Sequence, residues 1–219
     1  RWKILSLLNN VKHRINLYRR YPYWRRESCI FVHVPKAAGT SVNKALYGRT
    51  LGHYSATEIR DAFPALYRKA FTFSLVRNPW ARALSAYRFA CVGRTDSMGI
   101  DKPAQYQIPE FESFERFICD WLPEQNVVDL DFVFRPQWHF VCNESGQPMV
   151  DHLGYVELMG DTVSILSENL NRNIIIGNEN STGNRETNVY QKHYVKNKMV
   201  DVVRSVYSKD IDLFGYEFE

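Results

Sequence analysis

A short stretch near the amino terminus combines an apolar strand pattern, a small-residue loop and the start of a helix. It reads IFVHVPKAAGTSVNKAL over residues 30–46. Lys36 and Gly39 lie in the loop, and Thr40 and Ser41 open the helical segment. Amide N–H groups at a helix start lack partners within the helix and lie at the positive end of its dipole, so they bind anions. With the charge of Lys36 beside them, these residues predict a site for a phosphorylated ligand.

A second apolar strand pattern, residues 70–76, ends in an arginine where a nucleoside-triphosphate enzyme would need a carboxylate. The triphosphate P-loop places its lysine directly after its second glycine, whereas Lys36 precedes Gly39 by three positions. Such enzymes hold Mg²⁺ through an acidic strand end, but Arg77 suits a second phosphate. The residues therefore predict a ligand with two separated anionic groups and no metal. Arg82, in the helix that follows, is expected to be a structural ion-pair partner.

Two motifs, taken in order, resemble the sulfotransferase superfamily, specifically the carbohydrate sulfotransferases of the membrane-associated and bacterial type. They are HVPKAAGTS at 33–41 and VRNPWARALSAY at 76–87. Weaker similarity continues through FRPQ, VDHLGYVE and DIDLFGYEF, at 134–137, 150–157 and 210–218. The resemblance therefore extends over nearly the whole chain.

This resemblance implies that the donor is 3′-phosphoadenosine 5′-phosphosulfate and the product adenosine 3′,5′-bisphosphate, with no metal ion. It implies that Lys36 contacts the 5′-phosphosulfate and its bridging oxygen, and that Arg77 and Ser85 hold the 3′-phosphate. The residues implied to bind the phosphosulfate through main-chain N–H groups, with hydroxyl help from the last two, are Ala38, Gly39, Thr40 and Ser41. Arg185 and Thr187 are candidates for lid contacts to the nucleotide, with an ordinary surface loop as the alternative.

Sulfuryl transfer needs a base for the acceptor proton and a positive group at the leaving oxygen. Lys36 and the loop amides meet the second need. His53 is the candidate base, because related sulfotransferases place a catalytic histidine in a similar Gly-His stretch between the two motifs. His139 is the alternative base, and His33 is expected to be buried and structural. The carboxylates expected on a solvated helix face instead are Glu58 and Asp61.

Strand and helix patterns alternate along the chain, which predicts a single-domain α/β fold. We expect a central, mainly parallel sheet flanked by helices, with a P-loop-like nucleotide-binding core. Further strands are predicted at 153–158 and 173–176, and helices at 56–69, 79–91, 162–170 and 190–207. Residues 127–134 fit either a short strand or an irregular segment. Ligands of such folds lie at the carboxyl ends of strands, which is where Lys36 and Arg77 fall.

The first 26 residues hold eight basic residues and no acidic one, whereas the remainder holds 20 basic and 24 acidic residues. Their apolar residues recur at helical spacing, at Ile4, Leu7, Leu8, Val11 and Ile15. We therefore expect a basic helical segment, 1–26, ahead of a sulfotransferase domain, 27–219. The segment either packs on the domain or makes a peripheral contact with an anionic membrane.

The four cysteines are widely spaced, without the CxxC pairs of a zinc site, and reduced thiols are the default for a chain of this size. This favours a bacterial cytoplasmic enzyme, with membrane association through the basic segment left open. Because the chain does not begin with Met, a Golgi lumenal domain trimmed of an upstream anchor is the alternative.

These observations predict in-line transfer of a sulfuryl group to a hydroxyl of a polysaccharide, oligosaccharide or glycolipid. The alternatives are a kinase-like phosphotransferase and a non-catalytic nucleotide- or glycan-binding protein, and no nucleic-acid partner is expected. Residues 93–110 have the length and polarity to shape an acceptor cleft. Tyr106 is a candidate for stacking on a sugar ring, whereas core packing is expected for Trp121 and Trp138.

Overall fold

The structure, a computed structural model, describes residues 11–94, 99–100, 102–177 and 190–218. Within these residues a parallel sheet of three strands lies in the order β1 (Cys29–Val32), β2 (Phe71–Val76), β3 (His152–Tyr155). Cys29 pairs with Phe71, and Phe73 pairs with His152. β1 is buried along its whole length, as expected for a parallel strand with both faces covered. The predicted α/β fold with a central parallel sheet is confirmed.

Helices and short turns make up most of the remaining regular structure. In chain order the helices are α1 (11–18), α2 (Tyr21–Glu27), α3 (Gly39–Tyr47), α4 (Ala56–Ala62), α5 (Pro64–Lys69), α6 (Pro79–Val92), α7 (Phe114–Arg116), α8 (Trp138–Val141), α9 (Met159–Asn169), α10 (Asn197–Val206) and α11 (Ser208–Phe214). Helix α7 continues as a π-helical turn over Phe117–Trp121. Turns of 3₁₀ helix lie at Pro103–Tyr106, Pro109–Phe111, Leu122–Glu124, Val156–Leu158 and Gln191–His193.

The first two helices pack one face on the domain. Leu17 and Trp24 are buried, at 5% and 1% exposure, in the same cluster as the sheet. On α1 the other face is open to solvent, with Val11, Ile15 and Tyr18 about half exposed. The membrane contact and the division at residue 26 stay predictions. No helix of the described residues is both long and apolar enough to span a bilayer.

The single helix predicted over 56–69 is divided into α4 and α5. Pro64 starts the second helix, because proline has no N–H for the preceding turn and its ring clashes with that turn. Phe63, the residue before it, leaves the helical region with φ −136° and ψ 57°. The helix predicted over 190–207 likewise begins only at Asn197, after a 3₁₀ turn.

The strand predicted over residues 173–176 is irregular. Ile174 is buried and Ile175 is 77% exposed, so the run does not lie between two covering layers. The Ile174 N–H donates to Ser167 Oγ at 3.1 Å, which satisfies it without a neighbouring strand. Residues 127–134 contain no strand, in agreement with the irregular alternative.

Two clusters of buried side chains form the core. One surrounds the sheet together with α3 and α4, and the other joins α6, the Phe114–Trp121 segment and α10. Phe132 and Tyr216 are partly buried and pack against both clusters. Since α3 follows β1 and α6 follows β2, the loops after these neighbouring strands lie at the junction of the two clusters.

Candidate active site

The loop after β1 has an unusual backbone. Lys36 and Ala38 have φ values of 65° and 55°, in the left-handed region, while the residue between them does not. Each such non-glycine residue costs roughly 1–2 kcal/mol, and strain of this kind concentrates at ligand sites. Turns that alternate in this way direct successive N–H groups into one concavity, which binds anions. Helix α3 begins directly after the loop, and its N-cap residue, Ala38, makes no side-chain capping bond.

Gly39, the first residue of α3, is required because an imidazole lies against it. A Cβ at this position would stand 1.9 Å from His33 Cδ2. Asn43, one turn further along α3, donates from Nδ2 to the Gly39 carbonyl at 2.9 Å and to His33 Nδ1 at 3.1 Å. His33 is 3% exposed, so its predicted burial is confirmed.

Two arginines donate hydrogen bonds to main-chain carbonyl groups of the loop. Arg77 Nη1 donates to the Lys36 carbonyl at 3.3 Å, and Arg82 Nε donates to the Pro35 carbonyl at 3.0 Å. These two bonds hold the carbonyl groups of Pro35 and Lys36 in place. The loop after β1 and Arg77 are therefore brought together at the carboxyl edge of two adjacent strands.

Arg82 has the predicted structural role, but with partners of another kind. Its Nη2 donates to the carbonyls of Arg135 at 2.6 Å and Val133 at 3.2 Å. Within the part of the chain that the structure describes it forms no salt bridge, so the expected ion pair is wrong. A guanidinium at 2% exposure needs its donors satisfied, and main-chain carbonyls satisfy them here.

The site carries more positive than negative charge. Burial, together with the charges of Arg77 and Arg82, lowers the pKa of Lys36 from 10.5 to about 8. Lys36 Nζ lies 4.4 Å from the centre of the Phe89 ring, so an aromatic face covers the ammonium on one side. Cations that depress one another's pKa values favour a polyanionic ligand, since its charge relieves the repulsion.

The hydroxyl groups expected to bind the donor lie beside this charge. Thr40 is half-buried and Ser41 is buried, both in the first turn of α3. Ser85 lies on α6 between Arg82 and Phe89, at helical spacings that put all three on one face of the helix. Because Arg82 and Phe89 both contact the loop, this face is turned toward it. Arg185 and Thr187 lie outside the described residues.

His53 lies in the connection between α3 and α4, next to His33. Its Nδ1 is 3.0 Å from the His33 carbonyl oxygen. Since a carbonyl can only accept, Nδ1 carries the proton, and the lone pair of the neutral ring is on Nε2. The ring lies between those of His33, at 4.1 Å, and Phe132, at 4.6 Å. His53 is thus fixed in one tautomer, with aromatic rings on both sides.

The charge state of His53 follows from its surroundings. Burial lowers its pKa from 6.5 to about 4; the bond to the His33 carbonyl opposes this, and the charges of Lys36 and Arg82 reinforce it. The ring is therefore neutral near pH 7. That Lys36 acts on it also puts His53 within electrostatic reach of the loop.

The other candidate bases have different surroundings. The charges that act on His139 are those of Arg135 and Glu58. Glu58 is occupied in a capping box with Ser55, whose N–H donates to Glu58 Oε2 at 2.7 Å. Asp61 is paired with an arginine, with its side chain 60% exposed. The expected placement of the two carboxylates on the helix surface agrees with these contacts.

Tyr106 is a core residue and not a platform for a sugar. It is 5% exposed and packs against the rings of Phe111 and Phe134, at 5.1 and 5.4 Å. Trp121 packs in the same cluster, as expected. No group of three side chains suited to a metal ion occurs in the described ranges.

Two buried polar residues near the site were missed in the sequence. Gln137 and Asp210 are both 0% exposed. Gln137 bonds to the main chain of Arg77, and Asp210 to the main chain of Gln137. The only signal for them was that they fall in the FRPQ and DIDLFGYEF stretches, since neither residue type has a fixed spacing from Arg77.

The comparisons with known proteins point to one family. Residues 20–217 match a family model described as the sulfotransferase family. Neither the curated proteins nor the solved structures include a significant match to the chain.

Proposed function

The chain belongs to the sulfotransferase family, and we propose that its donor is 3′-phosphoadenosine 5′-phosphosulfate and its acceptor a carbohydrate hydroxyl. The carrying observation is the hydrogen bond from Arg77 to the Lys36 carbonyl, at 3.3 Å. It joins an anion-binding loop to a second cation at the end of the neighbouring strand. A donor with a phosphosulfate at its 5′ end and a phosphate at its 3′ position suits two such adjacent sites.

In the proposed reaction the acceptor oxygen attacks the sulfur in line with the bond to the departing nucleotide. A new S–O bond forms as the old one breaks, and adenosine 3′,5′-bisphosphate leaves with the bonding electron pair. The acceptor proton passes to His53 Nε2, which holds the lone pair because Nδ1 donates to the His33 carbonyl. Holding the reactants in line supplies a large part of the rate enhancement.

Negative charge develops on the bridging oxygen of the leaving phosphate. Lys36 and the main-chain N–H groups of Ala38, Gly39, Thr40 and Ser41 are the groups proposed to stabilise it. Arg77, with the Ser85 hydroxyl, is proposed to hold the 3′-phosphate away from the reacting centre. This division of roles keeps the binding energy of the 3′-phosphate available for positioning the donor.

Donor binding would also prepare the base. Burial is the main cause of the lowered pKa of His53, and the charges of Lys36 and Arg82 lower it further. A bound polyanion that offsets these two charges therefore reverses that part of the shift. A pKa nearer the working pH makes a histidine a better general base. Deprotonation of the acceptor is thereby favoured only once the donor is in place.

The carbohydrate acceptor rests on the motifs at 33–41 and 76–87, which resemble those of carbohydrate sulfotransferases. The first alternative, a phosphotransferase, is opposed by Arg77, which stands where a metal-holding carboxylate would be needed. The second, a non-catalytic binder, is opposed by the fixed tautomer of His53 beside the loop.

A transfer assay tests the proposal. The protein is incubated with sulfate-labelled donor and a panel of polysaccharides, oligosaccharides and glycolipids, and in parallel with Mg²⁺-ATP labelled on the γ-phosphate. We expect label from the sulfated donor on at least one acceptor and none from ATP. Phosphate transfer alone would establish the phosphotransferase, and nucleotide binding without transfer from either donor would establish a binding protein.

A further inference from the structure

Gln137 makes a two-point contact with the main chain of Arg77. Its Oε1 accepts from the Arg77 N–H at 2.8 Å, and its Nε2 donates to the Arg77 carbonyl at 2.8 Å. The pairing of β2 with β3 ends one residue earlier, at Val76. The side-chain amide of Gln137 thus replaces the main-chain partner that a neighbouring strand would provide. It satisfies both the N–H and the carbonyl of Arg77, which lies just beyond the paired part of the sheet.

Gln137 is itself held in place by hydrogen bonds to the carboxyl-terminal part of the chain. The Asp210 carboxylate accepts from the Gln137 N–H at 2.8 Å and from the Trp138 N–H at 2.8 Å. Tyr207 donates its hydroxyl to the Phe134 carbonyl at 2.9 Å, and Arg82 donates to the Arg135 carbonyl at 2.6 Å. The segment before Gln137 is therefore tied on both sides, by α6 and by the α10–α11 junction.

An amide at this position has a specific advantage over a carboxylate. It offers one donor and one acceptor, which are what the two main-chain groups of Arg77 require. The amide is also neutral, so it holds the main chain of Arg77 without neutralising the guanidinium charge. The guanidinium makes one hydrogen bond within the described residues, to the Lys36 carbonyl at 3.3 Å. Its direction therefore depends largely on how firmly the main chain is held.

We propose that Gln137, anchored by Asp210, is a positioning residue that aims Arg77 at the 3′-phosphate of the donor. This inference rests on the proposed function. It predicts that loss of the two-point contact weakens binding of the 3′-phosphate and leaves binding of the 5′ end unchanged. A residue that only supported the fold would weaken both.

The first test compares two nucleotides on the full chain. Gln137→Met keeps the approximate volume and removes both hydrogen bonds. We expect the affinity for adenosine 3′,5′-bisphosphate to fall about tenfold, given the size of such bonds, and the affinity for adenosine 5′-monophosphate to stay within about twofold. Gln125→Met is the matched control, because the Gln125 amide also donates to a main-chain carbonyl, that of Trp121. It should leave both affinities unchanged.

The second test uses Gln137→Glu and pH. When protonated, the introduced carboxyl can donate to the Arg77 carbonyl and restore the contact; when ionised, it can only oppose that carbonyl. The charged groups around this contact are Arg77, Arg82 and Asp210, and Glu157, Tyr216 and Arg88 also act on Arg77. The Glu157 carboxylate accepts from the N–H of Asn78, the next residue, at 2.8 Å. Burial raises the pKa of Asp210 to about 6, so wild type is measured at every pH as the reference. We expect the deficit in bisphosphate affinity, relative to wild type, to shrink as the pH falls.

The outcomes separate this inference from the proposed function. Equal loss of both nucleotides in Gln137→Met, or a bisphosphate affinity equal to that of wild type, would overturn the positioning role. Wild-type protein that binds the two nucleotides alike would overturn the 3′-phosphate site itself, and this inference with it. In an Arg77→Ala background, Gln137→Met should cost no further bisphosphate affinity; a further loss would show that Gln137 acts by another route.

Discussion

His53 owes its proposed role to its main-chain partner more than to its own chemistry. The bond to the His33 carbonyl selects the tautomer, and the rings of His33 and Phe132 fix the plane of the imidazole. The Gly-His stretch identified His53 as a candidate, but its tautomer depends on a residue 20 positions away in the chain. Local sequence patterns do not encode such a contact.

His53→Ala should reduce sulfuryl transfer by about 10²-fold or more, as expected for loss of a general base. The affinity for adenosine 3′,5′-bisphosphate should stay near that of wild type, because the loop and Arg77 are unaltered. Steady-state transfer rates and calorimetric binding constants measure the two effects. His139→Ala is the control and should retain transfer; the reverse pattern would make His139 the base.

Gln137 and Asp210 also show that the role of a residue cannot always be predicted from its type and its local sequence. Both are buried polar side chains that a composition-based argument would place on the surface. Gln137 lies 60 positions from Arg77 and 73 from Asp210. Their function as supports emerges only when three distant segments meet.

At the scale of elements, β1, the loop that follows it and helix α3 form one unit, and each part depends on the others. The left-handed residues of the loop lead directly into α3, and His33 at the end of the strand fills the space in front of Gly39. This unit was predictable, because its apolar run, its small residues and its hydroxyls are contiguous. The irregular structure of residues 173–176 was not predictable, since an apolar β-branched run indicates a strand whether or not a neighbouring strand exists.

Gly39→Ala should disrupt this unit. The added methyl group would meet the His33 ring at 1.9 Å, and the resulting shifts should cost roughly 1–3 kcal/mol of unfolding free energy. Affinity for adenosine 3′,5′-bisphosphate should fall as well, because α3 and the loop move together. Urea denaturation and nucleotide titration measure the two quantities.

Gly160→Ala is the matched control for this substitution. Gly160 lies in α9, and a Cβ there would meet no atom within 4 Å. Alanine is the better helix former by about 1 kcal/mol, so this variant should be as stable as wild type or more so. If Gly39→Ala behaved like this control, the close approach of His33 would not be what requires glycine.

At the scale of the whole molecule, the site lies where two cores meet. The loop after β1 belongs to the sheet cluster, and α6 belongs to the aromatic cluster. Arg77 and Arg82 connect the two through the carbonyls of Lys36 and Pro35. The alternation of strands and helices predicted the sheet and its site-bearing edge. The second core was not predictable, because many of its aromatic residues come from segments outside the long regular helices, such as the π-helical turn at Phe117–Trp121.

The central claim is that this junction binds a nucleotide at two separate anionic groups. Calorimetric titration of adenosine 3′,5′-bisphosphate into wild type and Arg77→Ala tests it most directly. Loss of charge-assisted hydrogen bonds should weaken binding by roughly tenfold to a hundredfold. Arg60→Ala, which removes an exposed arginine paired with Asp61, should bind as wild type does. Equal affinities of Arg77→Ala and wild type would contradict the account.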